Sequence, residues 1–235
     1  KRLVGQRYMV NRASYQRVGN QIANIVYRDV THHAGPFSGH LLFVGQYGKN
    51  YYLYVSDCEG LDRRSIVRGH IPIISPAWSP NGHHVAYVTY RHQHSVIYIQ
   101  NLSTGHRWQL PGNGYALSAP AYSPSGRYLA FARSRDGRTQ VVTENLQTHV
   151  VRVLASQGTV NTSPVWSPSG RYIYFVSNRD GSAQIYRVSR YGGAATRITW
   201  SGGYNVSPAI SPNGKWLVFV HSNRGVLATA IMHPN

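Results

Sequence analysis

The chain has 235 residues and a formal charge of +17 at pH 7, from 24 Lys and Arg against 7 Asp and Glu with its 12 His neutral. That length holds a sizeable core in one or two domains, and 18 Tyr with 23 Gly is a composition of strands and turns. The single cysteine, Cys58, excludes an internal disulfide and a cysteine-based zinc site, and no apolar run reaches the ~20 residues that span a bilayer.

No signal peptide is visible at the N-terminus, and a start at Lys1 rather than Met reads as a processed, designed or fragment end. Tyr8-Met9-Val10 reads as a short strand. Val18, Ile22, Ile25, Val26 and Val30 then fall at i, i+4, i+7, i+8 and i+12, one stripe of a helix. Ser14 serves as its N-cap and Gly35-Pro36 as its stop. Residues 1–35 are therefore expected to be the tail of an α/β domain. From His40 to Arg68 three strands are expected, at Leu41–Val44, Tyr51–Val55 and Arg64–Val67.

A phrase then recurs four times: Trp78-Ser79-Pro80-Asn81-Gly82, Tyr122-Ser123-Pro124-Ser125-Gly126, Trp166-Ser167-Pro168-Ser169-Gly170 and Ile210-Ser211-Pro212-Asn213-Gly214. The glycines at 82, 126, 170 and 214 are separated by a step of 44 residues. A second proline precedes each copy, at Pro76, Pro120, Pro164 and Pro208. Within the phrase, Pro presets φ and Gly accepts a left-handed conformation, which predicts a type I turn closing into a glycine bulge. A nearly continuous apolar run follows each turn, such as Tyr128-Leu129-Ala130-Phe131-Ala132 or Trp216-Leu217-Val218-Phe219-Val220, and reads as a strand buried on both faces. Polar turns such as Arg135-Asp136-Gly137, alternating strands such as Gln184–Val188 and an outer strand such as Val150–Leu154 complete four strands per period.

A period of this length built only of strands is the mark of a β-propeller. The expected fold is all-β: four-stranded blades in an incomplete ring. The blades are expected at 36–70 (partial, without the Ser-Pro-x-Gly turn and the strand before it), 71–112, 113–156, 157–200 and 201–235 (truncated).

Two stretches carry a family resemblance. Ile74-Ser75-Pro76-Ala77-Trp78-Ser79-Pro80-Asn81-Gly82 with Val85-Ala86-Tyr87-Val88-Thr89 resembles the first full blade of the TolB family, periplasmic propellers of the bacterial Tol-Pal system. The likeness runs upstream through Val55-Ser56-Asp57 into the helix, and downstream through Gly192-Gly193-Ala194-Ala195-Thr196-Arg197-Ile198-Thr199-Trp200. The resemblance implies a non-enzymatic periplasmic scaffold. It would bind the lipoprotein Pal at the channel mouth, maintaining outer-membrane integrity and envelope constriction at cell division. It also implies a contact with TolA through an N-terminal segment that this chain lacks. By resemblance, the Pal-binding residues fall in loops before each first strand: Ser75, Ala116, Ala119, Asn161, Thr162, Ser163 and Ser207. Two of these loops depart from the family pattern. Ala116-Leu117-Ser118-Ala119-Pro120 lacks the family's His, and Asn161-Thr162-Ser163-Pro164 lacks its Glu. Prolyl-oligopeptidase-type hydrolases share the Ser-Pro-x-Gly repeat, so a propeller parted from such a catalytic domain is the rival reading.

No catalytic residue, metal or cofactor is expected. His92 and His94, His32-His33 and His83-His84 have no Asp, Glu or Cys nearby in sequence to complete a ligand set, and read as solvated surface histidines. Gly35-Pro36-Phe37-Ser38-Gly39 has the wrong spacing for a nucleophile elbow. Lys and Arg are scattered rather than blocked, so neither nucleic-acid binding nor membrane insertion is expected, and the chain is expected to be a monomer. Where the family's turn usually carries Asp before Gly, this chain has Asn81, Ser125, Ser169 and Asn213. Neutral residues there keep the turn without a group that titrates in acid, which points to a periplasm open to acidic surroundings, as in an acidophile; drift of surface charge is the equal alternative.

Overall fold

A computed structural model describes residues 15–33, 35 and 37–234, the side chain of Gln16 excepted. The strand expected at Tyr8-Met9-Val10, the cap at Ser14 and Pro36 of the stop lie outside the described residues. The chain divides into two compact units, Lys1–Gly69 and His70–Asn235.

In the first unit the apolar stripe forms helix α1 (Tyr15–Thr31). It ends at His32, whose φ of 57° and N–H bond to Arg28 O at 2.8 Å close the last turn. Asn24 ties the helix to the next segment: its Oδ1 accepts from Phe37 N–H at 3.0 Å and its Nδ2 donates to Ser38 Oγ. Tyr27 meets Phe37 edge-on at 5.9 Å. The docked side of the helix is thus the Asn24–Tyr27 side, while Ile22, Val26 and Val30 of the stripe stand exposed among the described residues. Strands β1 (His40–Tyr47), β2 (Asn50–Asp57) and β3 (Arg64–Gly69) form an antiparallel meander in that order. Phe43, Tyr54 and Tyr52 stack across it, with the guanidinium groups of Arg63 and Arg68 over the two tyrosines.

The second unit is four successive antiparallel sheets. The first is β4 (Ile74–Trp78), β5 (His84–Arg91), β6 (His94–Asn101) and β7 (Arg107–Gln109). The second is β8 (Ala116–Tyr122), β9 (Tyr128–Arg135), β10 (Arg138–Asn145) and β11 (Val151–Ala155). The third is β12 (Asn161–Trp166), β13 (Tyr172–Ser177), β14 (Gln184–Ser189) and β15 (Thr196–Arg197); the fourth is β16 (Tyr204–Ile210), β17 (Leu217–Asn223) and β18 (Val226–Met232).

The Ser-Pro-x-Gly turns join the first strand to the second in each sheet, with the glycines at φ 71°, 70°, 66° and 72°. Gly82 N–H bonds Ser79 O at 2.9 Å, and Asn81 Oδ1 accepts from His83 N–H at 3.0 Å, the place a carboxylate oxygen would take. Successive turns also touch: a Cβ on Gly126, Gly170 or Gly214 would lie 3.5, 3.8 or 3.7 Å from Pro80, Pro124 or Pro168 of the preceding turn.

Apolar side chains between neighbouring sheets form three cores, represented by Ile97 with Leu117, Tyr186 with Leu154, and Ile185 with Leu217. Burying a ring such as Phe131 or Phe175 contributes ~1.5–3 kcal/mol before entropy is counted. The runs in β5, β9 and β13 are buried on both faces, as expected. The run in β17 is buried on one face only: Leu217 and Phe219 are covered, Val218 and Val220 are half-buried, and Trp216 is exposed. Among the described residues of the second unit no further sheet packs on that side.

Candidate partner-binding rim

The first strands lie beside one another, β4 by β8, β8 by β12 and β12 by β16, while the fourth strands make no comparable mutual contact. The sheets therefore radiate from an axis lined by their first strands. Strand direction then fixes two rims. One carries the starts of the first strands and the turns between second and third strands. The other carries the Ser-Pro-x-Gly turns and the turns between third and fourth strands.

Near its start each first strand is interrupted by the same bulge. Ser75 and Pro76 together oppose only Tyr87, because Ile74 pairs Val88 and Ala77 pairs Ala86. The same count of two against one sets Ala119-Pro120 against Phe131, Ser163-Pro164 against Phe175 and Ser207-Pro208 against Phe219. In every case the residue before proline is left-handed, with φ 49°, 49°, 51° and 53° at Ser75, Ala119, Ser163 and Ser207. A non-glycine residue there costs ~1–2 kcal/mol and is held only because its surroundings over-determine it. Here proline has no N–H to lose from the ladder, and a buried aromatic side chain stands opposite. A bulge leaves its extra residue outside the ladder and re-aims the strand.

Ser75, Ala119, Ser163 and Ser207 are thus the repeated bulge itself. They lie within the first strands, as do Ala116, Asn161 and Thr162, and not in loops before them. Ser75 and Ser207 are exposed, and Ala116, Ala119, Thr162 and Ser163 are half-buried. Asn161 is 0% exposed. Its Nδ2 donates to Thr139 O and Gln157 O, both at 2.9 Å, and its Oδ1 accepts from Arg179 Nη2 at 3.3 Å. Those bonds spend the side chain internally, so Asn161 staples the third sheet to the second instead of offering its amide to a partner. Asn205, one period on, repeats the arrangement on Gln184 Oε1 at 2.7 Å and Ser201 O at 2.9 Å, with His221 Nδ1 against its Oδ1.

Sequence reasoning missed the arginines of this rim. Arg133 and Arg135 lie over the Tyr115 ring at 4.3 and 4.4 Å. Arg179 lies over Tyr186 at 4.6 Å, and burial draws its pKa down while nearby Tyr186 and Asp180 oppose the shift. Tyr186 donates to Asp180 Oδ2 at 2.6 Å; burial first, and that bond second, push its pKa up to about 12. The arginine-rich turns, Arg135-Asp136-Gly137 and Arg179-Asp180-Gly181, were visible in sequence; their stacking on Tyr115 and Tyr186 was not. His92 and Gln93 form the turn from β5 to β6, and among the described residues no three metal-type side chains come together.

Four-stranded antiparallel sheets set side by side about their first strands define a β-propeller. The family model for the TolB beta propeller domain matches residues 27–235, and the chain belongs to that family. The Tol-Pal system protein TolB of Chromobacterium violaceum is 40% identical over 107 residues, 46% of this chain and 25% of that protein. The TolB of Nitrosococcus oceani is 38% identical over 112 residues, 46% of this chain and 26% of that protein. The crystal structure of TolB from Acinetobacter baumannii matches with a TM-score of 0.90 at 29% identity, over 99% of this chain and 60% of that one. The matches thus span about a quarter of the curated relatives and under two thirds of the crystallised one. Lyases and a peptidase under 25% identical share the fold alone.

Proposed function

We propose that this chain is a non-enzymatic scaffold of the Tol-Pal system in the periplasm, and that it captures a Pal-type lipoprotein on the rim formed by the first-strand bulges. One observation carries the reading: the same strained bulge stands at Ser75, Ala119, Ser163 and Ser207 in all four first strands, in a chain whose relatives are named Tol-Pal system proteins. Strain of this kind clusters where backbone is held ready for a ligand. The test is titration of a purified Pal-type ectodomain against Thr162→Glu and Ala119→Glu, with Lys215→Glu on the opposite rim as control. The rim variants should bind about tenfold or more weakly with unchanged melting. Wild-type affinity in both would rule the rim out.

We also propose that this periplasm is open to acid. Supporting this, Asn81 and Asn213 accept their turn bonds through neutral amides at 3.0 Å. A fold that lost structure steeply between neutral pH and ~3 would refute it.

A further inference from the structure

The rim of the Ser-Pro-x-Gly turns holds a cavity of about 270 Å³ between the second and third sheets. Its aromatic walls are Tyr128, Trp166 and Tyr191, and its cationic ones are Arg152 and Arg190. Tyr128 and Trp166 approach at 6.4 Å with planes tilted by 35°, and Trp166 is pinned by its Nε1–H bond to Ala121 O at 3.1 Å. Arg190 lies over Tyr191 at 4.6 Å and over Tyr128 at 5.3 Å. Arg152 Nη1 donates to Tyr191 O at 3.1 Å. Among the described residues neither arginine pairs with a carboxylate. The neighbouring acid, Glu144, turns to His149 at 2.9 Å and is 1% exposed.

The repeat supplies the comparison. One period earlier, between the first and second sheets, the positions of Arg152 and Arg190 are held by Trp108 and Leu146, which pack against the core there. Two large apolar side chains that close one seam are therefore replaced by two cations at the next, and the next is open. An arginine held over a ring by stacking presents its N–H groups to an anion with little entropy left to lose. Thr143 and Asn145 add polar groups to the wall. Aromatic faces, hydroxyl and amide groups and two unpaired cations around a space of this size suit one ring with hydroxyls and a negative charge.

We propose that this cavity is a binding site for a small anionic sugar, a single ring carrying a carboxylate or a phosphate. The site lies on the opposite rim from the bulges and does not depend on the scaffold reading. The test is calorimetric titration of the full chain with glucuronate, glucose 6-phosphate, glucose and inorganic phosphate. At least one anionic sugar should saturate a single site and bind at least about tenfold more tightly than glucose, with affinity falling as salt rises. Glucuronate alone would assign the carboxylate, glucose 6-phosphate alone the phosphate, and either supports the site. The variant Arg152→Trp/Arg190→Leu restores the residues of the preceding seam; it should abolish binding while melting at or above the wild-type temperature. Should it fail to fold, Arg190→Leu, with melting checked, should weaken binding by about tenfold or more. The proposal is overturned if neither anionic sugar outbinds glucose at up to ~10 mM. It is equally overturned if inorganic phosphate binds as tightly as the sugars, or if folded variants bind like wild type.

Discussion

Asn161→Ala separates a staple from a contact. The substitution removes two donated bonds, to Thr139 O and Gln157 O, and the acceptor for Arg179 Nη2. Each lost bond is worth ~1 kcal/mol net, and the one to the charged Arg179 somewhat more, so the second unit should lose about 2–4 kcal/mol. For a unit of this size each kcal/mol shifts the melting temperature by ~2–4 °C, which gives a fall of about 5–15 °C. Asn161→Leu imitates Leu117, one period earlier, but should not rescue, because leucine restores none of the three bonds. Thr162→Glu, the next residue, should leave melting unchanged. Thermal melts followed by far-UV circular dichroism measure all three, with urea midpoints at constant slope as a second reading. If Asn161→Ala melted like wild type while its affinity for a Pal-type ectodomain collapsed, the staple assignment would be wrong and Asn161 would be a recognition residue.

Three further outcomes follow from local geometry. His92 and Gln93 form a two-residue hairpin turn with φ 47° and 67°, whereas the equivalent turns end in Gly137 and Gly225; Gln93→Gly should stabilise by about 0.5–1 kcal/mol, read as a higher urea midpoint. Burial raises the pKa of Glu144 more than His149 lowers it. A carboxyl whose folded pKa is raised contributes stability that is fully present below its unfolded pKa and lost as pH rises through the folded one. Glu144→Gln should therefore melt above wild type at neutral pH, with the gap closing below the ordinary carboxylate range; a pH-independent gap would contradict this. Ser125 Oγ reaches Arg127 N at 3.4 Å, where Asn81 Oδ1 reaches His83 N at 3.0 Å, so Ser125→Asn should add about 0.5 kcal/mol, measured the same way.

The repeat was legible because its signals are local. Proline and glycine at fixed offsets specify a turn whatever surrounds them, and the 44-residue step placed four turns and the strands beside them. What covers a surface is not local. The stripe from Val18 to Val30 identified helix α1 correctly but not its docked side, which Asn24 and Tyr27 provide. Likewise Arg152 and Arg190 look like ordinary surface charge until aligned with Trp108 and Leu146.

The bulge shows a harder limit. A residue before proline is pushed toward extended backbone, so the local rule predicts the wrong conformation at Ser75, Ala119, Ser163 and Ser207, all of which are left-handed. The ladder on either side and the aromatic side chain opposite override the rule four times at one spacing. The trace left in sequence is size: each of the four positions holds only Ser or Ala. Strain shared by four strands at one spacing is what the proposed partner-binding rim asks of its backbone.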